Sequence, residues 1–186
     1  MKRTMIATAC ILLATPVLAQ SVGEKTGVNS ALGISPSTAD FVKQVAISDM
    51  FELESSKLAQ QKGNAEEKAF ASKMVTDHSK TSTELKGLVS SGKVKAELPA
   101  ALDASHQGKL DKLKEASGND FSSNFNSMQV SAHKDAVDLF ERYAQGGDNT
   151  DLKDWAGKTL PALKHHLEMA QELGKKPAPT VGEGRK

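Results

Sequence analysis

Residues 41–59 read FVKQVAISDMFELESSKLA, and Phe41, Val45, Ser48, Glu52, Ser55 and Ala59 fall on one face when about 100° is counted per residue. That period is helical. Ser37 or Thr38 can cap the free amides before it and Gly63 stops it, which predicts a helix over 39–61. Working outward, a second helix follows Asn64 and runs to about residue 90, where Gly92 ends it, with Phe70, Met74, Leu85 and Leu88 as its stripe. The turn between the two is so short that they must be antiparallel neighbours.

Residues 92–120 form a long connection that holds Pro99 and an amphipathic helix over 100–115. A third main helix is predicted over 121–145, burying Phe121, Phe125, Met128, Ala132, Ala136, Leu139, Phe140 and Tyr143 before Gly146-Gly147. A fourth covers 149–173, with Leu152, Ala156, Leu160, Leu163, Leu167 and Ala170. Pro161 should bend it, because its ring crowds the carbonyl of residue 157, which is a glycine. No alternating stretch remains to build a sheet. Two hairpins joined by a long helical crossover predict an all-α domain over 39–173, a four-helix bundle of ferritin-like connectivity.

The ends read differently. Lys2 and Arg3, an apolar run over 5–13, and Val17-Leu18-Ala19 before Gln20 have the three parts of a secretory signal peptide over 1–19, so the expected location is the periplasm. The apolar part falls short of the roughly 20 residues that span a bilayer. A lipid anchor on Cys10 is the lesser alternative, since only about five apolar residues would precede the cysteine. Residues 20–38, rich in Gly, Ser and Asn, read as a flexible linker, and 174–186, with its Lys-Lys-Pro-Ala-Pro run, as a disordered tail.

Cleavage would remove the only cysteine and two of the 24 basic residues, leaving 22 against 23 acidic ones. The mature chain then has no disulfide and no transmembrane segment. Lysines and glutamates alternate along the helices without a basic stripe, which argues against a nucleic-acid partner. There is no P-loop, dinucleotide fingerprint, Gly-x-Ser-x-Gly or cysteine nucleophile, so no catalytic motif is found and a non-enzyme is favoured. The methionines are scattered, as core filler rather than as a copper-binding cluster. An outer-membrane barrel would need an alternating strand pattern that is absent.

Each main helix turns one ionisable residue inward: Glu52, His78, His133 and His166, while His165 points outward. Glu52 and His78 lie about 11 and 15 residues from the first hairpin turn, and His133 and His166 about 14 and 19 from the second, which at 1.5 Å per residue puts all four in a middle layer. Unpaired buried ionisable groups cost several kcal/mol, so these must meet one another, a water or a metal. In one reading the three imidazoles and the carboxylate hold a transition metal such as zinc, iron or copper, and Asp77, at the stripe's edge, steadies a ligand from behind. In the other they form a hydrogen-bonded core network without metal. No Glu stands three residues before any His, so the di-iron Glu-x-x-His pattern and ferroxidase chemistry are not supported. His106 reads as a solvated surface partner of Asp103 on the crossing helix.

The same residues carry a resemblance. FVKQVAISDMFELESSKLA at 41–59, FASKMVTDHSK at 70–80, Ser131-Ala132-His133, and LPALKHHLEMA at 160–170 resemble domain-of-unknown-function family 4142, periplasmic ferritin-like proteins often labelled as outer-membrane proteins. Glu52, Asp77-His78, His133, and Pro161 with His166-Leu167 match its pattern in order over 39–173. The chain departs from it at Phe121-Ser122 and Phe125, where the family commonly shows Phe-Asp and a Tyr. The resemblance implies a fold and a compartment but no established reaction. Two functions stay open: a metal-binding, protective or stress-related bundle, and a structural or interaction module whose polar core specifies packing.

Overall fold

The computed structural model describes Glu24 and residues 27–175. The segment read as a signal peptide, and the tail beyond residue 175, lie outside the described residues. The described residues are all-helical, with no strand: α1 Val28–Ala31, α2 Thr38–Lys62, α3 Ala65–Ser90, α4 Ala104–Glu115, α5 Gly118–Gly146 and α6 Thr150–Lys175. None of these helices is long and apolar enough to cross a membrane.

Side-chain caps fix most of the starts. Ser37 accepts the Asp40 amide at the head of α2. Asn64 accepts the amides of Glu66 and Glu67 while Glu67 accepts that of Asn64, a reciprocal capping box. Asp103 accepts the His106 amide, so α4 begins at Ala104, later than the residue 100 expected from pattern alone. Asn149 accepts the Leu152 amide at the start of α6, which continues through Pro161.

The glycines that close α2 and α5 act through close approach. Gly63 and Gly147 have extended backbones, with φ of −71° and −61°, and neither needs the left-handed region. A Cβ on Gly147 would stand 2.6 Å from both the carbonyl oxygen and Cε1 of Tyr143. Gly147→Ala is therefore expected to cost about 1–3 kcal/mol in urea denaturation, through displacement of the buried tyrosine. A loss within experimental error would contradict this.

The helices pair as α2 with α3 and α5 with α6, while α2 also packs on α5 and α3 on α6. Their core has two apolar clusters. One gathers Phe41, Val45, Leu85, Val94, Phe140, Tyr143, Leu152 and Leu163. The other gathers Phe51, Phe70, Met74, Leu110, Leu113, Phe121, Phe125 and Ala170. Helix α2 runs from the first cluster to the second and α3 returns; α5 then starts at the second and α6 comes back to it. The connection over 91–117 must cross from one end to the other, and it contributes Val94 to the first cluster and Leu110 and Leu113 to the second. Lys62 fastens its far end, donating to the carbonyls of Leu113, Lys114 and Ala116.

Part of 20–38 is described, namely Glu24 and residues 27–38. It carries α1 and is docked on α5, because Arg142 is buried and must be satisfied. The guanidinium donates to Glu24 (3.0 Å), Asp138 (2.9 Å) and the carbonyl of Ile34 (2.6 Å). Ser30 adds a hydrogen bond to Asp138.

Candidate metal centre

Each long helix carries buried polar residues near the junction of the two apolar clusters: Asp49, Glu52 and Ser55 on α2, His78 on α3, Gln129 and His133 on α5, and His166 on α6. The three histidines meet. Their ring centroids are 5.5–5.7 Å apart in every pairing, and one ring nitrogen from each lies within 4.8 Å of the others. Four tetrahedral ligand atoms on 2.0–2.1 Å bonds sit about 3.4 Å apart, so closing on an ion requires movements of about 1.4 Å at most.

Each ring is held from behind. The Nδ1–H of His78 donates to Asp49 at 2.7 Å, the Nδ1–H of His133 to the carbonyl of Gln129 at 2.9 Å, and the Nε2–H of His166 to Asp77 at 2.7 Å. Carboxylates and carbonyls only accept, so these contacts fix each tautomer and leave the lone pair on the opposite nitrogen. Those opposite atoms, Nε2 of His78, Nε2 of His133 and Nδ1 of His166, are buried and have no hydrogen-bond partner. An imidazole anchored on one nitrogen and bare on the other is the arrangement that metal-ligating histidines adopt.

Protonation follows the same pattern. Burial, with the charge of His78 adding, pushes His133 down to about 4. Burial also takes His166 to about 4, against the opposing Asp77 hydrogen bond. Both are neutral donors at pH 7. For His78 burial also opposes a proton, but the Asp49 hydrogen bond and charge outweigh it, and the net shift is upward. Proton competition with a metal is therefore stronger at His78 than at His133 or His166.

Glu52 is 1% exposed, and neither carboxyl oxygen has a hydrogen-bond partner. Burial pushes it up to about 7, with His78 pulling the other way. The expected second carboxylate, Asp77, is partly exposed and does hold His166, while also accepting from Lys73 at 2.9 Å. Asp49 was not anticipated. It is 4% exposed, and its carboxylate accepts from His78, Thr81 and Ser82. A signal was present, because Asp49 stands four residues after Val45 and three before Glu52, on the face already read as buried. His106 is only 28% exposed, with its ring edge-on to Phe51 at 5.6 Å and its Nδ1 on Asp103.

The family model of a domain of unknown function, DUF4142, matches residues 23–173. The chain belongs to the DUF4142 family. No match was found among curated proteins or among solved structures. The DUF4142 match begins at residue 23, ahead of the resemblance read over 39–173, and so takes in the Glu24 and α1 segment docked on Arg142. Within this DUF4142 chain, Ser122 donates to the buried Glu67 at 3.1 Å and ties α5 to the start of α3.

Asp49→Asn should keep the size of the side chain while weakening its hold on the His78 ring. It is expected to lower transition-metal affinity about 10–100-fold, as loss of a partner behind a ligand does. Affinity equal to wild type in a competitive chelator titration would contradict that role.

Proposed function

We propose that this DUF4142 protein is exported to the periplasm, where it forms a four-helix bundle of ferritin-like connectivity that holds one transition-metal ion in a protective or stress-related role. The ion, of the zinc, iron or copper type, sits on Nε2 of His78, Nε2 of His133 and Nδ1 of His166, with Glu52 supplying negative charge. One observation carries this reading: three buried histidines bring one ring nitrogen each within 4.8 Å of the others, and every ring is anchored at one nitrogen while its other nitrogen has no hydrogen-bond partner.

A hydrogen-bonded core network is the competing account. Its Glu/His/Asp contacts are met in part by the His78–Asp49 and His166–Asp77 hydrogen bonds, but the other nitrogen of each ring and both Glu52 oxygens have no hydrogen-bond partner among the described residues. Each such buried group costs about 1–3 kcal/mol if left unsatisfied, and a cation would engage them together. Export is supported by the Lys2-Arg3 start, the apolar run and the Val17-x-Ala19 pattern. Crossing of the 91–117 connection between the two clusters supports the ferritin-like connectivity.

The test is metal analysis of untagged protein purified from the periplasm. About one equivalent of a single transition metal is expected, on a chain whose mass begins at Gln20. Metal-free protein that takes up no zinc, copper or iron on titration would refute the metal centre. A periplasmic chain retaining Met1 would refute the cleavage.

A further inference from the structure

Docking of the N-terminal segment on Arg142 builds a cavity of about 500 Å³. Glu24, Gly27 and Ser30 form one wall, and α2 and α5 supply most of the rest. The volume lies within the range of small-molecule pockets, about 300–1,000 Å³. Ala132 and Ala136 line it from α5, and side chains this small leave the space open. The buried Val45, Leu139 and Leu163 give it apolar surface.

Charge sets the class of ligand. Five carboxylates line the cavity against two strong bases, Lys109 and Arg142, so the lining stays net negative even with both of its histidines, His78 and His106, protonated. Four of the five carboxylates are engaged, with Glu24 and Asp138 on Arg142, Asp49 on His78 and Asp103 on His106. Asp135 is different: it has no hydrogen bond or ion pair among the described residues. Desolvation raises its carboxyl above the ordinary value, against the pull of the Lys109 charge. Leu139 stands one turn further along α5, so a charged acceptor and an apolar surface lie side by side on the same helix face.

We propose that this cavity binds a small organic cation with an apolar body, its charged group on Asp135 and its body against Val45, Leu139 and Leu163. An anion entering the same lining meets net repulsion. No bound metal takes part, so the inference goes beyond the metal-centre reading and stands or falls without it.

Isothermal titration calorimetry of the whole mature protein at pH 7 tests this with benzylamine as the cation, and benzyl alcohol and benzoate as neutral and anionic molecules of the same body. Benzylamine is expected to bind saturably at one site, at least about tenfold more tightly than either of the others, and equally well with chelator present. Asp135→Asn should weaken it at least about fivefold, and Lys109→Met, which removes the competing cation, should strengthen it at least about twofold. Asp135 is exposed and Lys109 only partly buried, so both variants should fold, which circular dichroism confirms. Absence of saturable benzylamine binding, equal binding of benzoate or the alcohol, or unchanged affinity in either variant would overturn the proposal. Loss of benzylamine binding on chelation would also overturn it, because the amine would then be a metal ligand.

Discussion

His133→Ala is expected to lower affinity for zinc at least about a thousandfold, roughly 4 kcal/mol, in competition against a chromophoric chelator. The side chain is 1% exposed, and its Nδ1–H is fixed on the Gln129 carbonyl, so Nε2 is aimed and desolvated before any ion arrives. Burial holds the ring neutral down to about pH 4, which removes proton competition at that nitrogen across the physiological range. Loss of this donor leaves two imidazoles and an incomplete tetrahedron. The metal-free fold should suffer far less, because the deleted ring carried an unsatisfied nitrogen into the core. Affinity within a few-fold of wild type would show that the ion, if bound, sits elsewhere.

This asymmetry between metal affinity and stability explains how much of the centre was legible in the sequence. Glu52, His78, His133 and His166 are visible as polar breaks in apolar stripes, and Asp77 as the neighbour at an edge, because helical period alone decides which way they point. The groups behind the ligands are harder to see. The partner of His133 is a backbone carbonyl, which no side-chain pattern can reveal. Asp49 is not singled out by pattern because Ser48 also fits the face of α2, and only the approach of α3 decides between them. The docking of Glu24 and α1 depends on Arg142, more than a hundred residues later, so local composition around Gly27 and Gly33 gave no sign of it. Element boundaries followed pattern well where caps were recognised, and slipped at α4, where Asp103 was read as a surface partner of His106 instead of as the cap.

Glu52→Gln is expected to make the metal-free protein more stable at pH 8 by about 3 kcal/mol. Burial raises the folded-state value from 4.5 to about 7, so the wild type must bury an ionised carboxylate at pH 8. A raised folded value contributes stability that is fully present below about pH 4.5 and is lost as pH climbs through about 7. The advantage of the variant should therefore shrink as pH falls towards 5, where the folded wild type holds its carboxyl neutral. Saturating zinc should cancel the advantage, because a divalent cation beside Glu52 makes the ionised form the favourable one. Urea denaturation at pH 8 and pH 5, with chelator and with zinc, gives all four comparisons. A variant less stable than wild type at pH 8 without metal would mean that Glu52 is held as a charge by protein partners.

X-ray absorption at the zinc edge of the loaded wild-type protein reads directly whether three imidazoles share one ion. A first shell of nitrogen and oxygen near 2.0–2.1 Å is expected, with the outer-shell scattering of three imidazole rings. A shell of oxygen alone, scattering from one ring or none, or a protein that will not load zinc would contradict it.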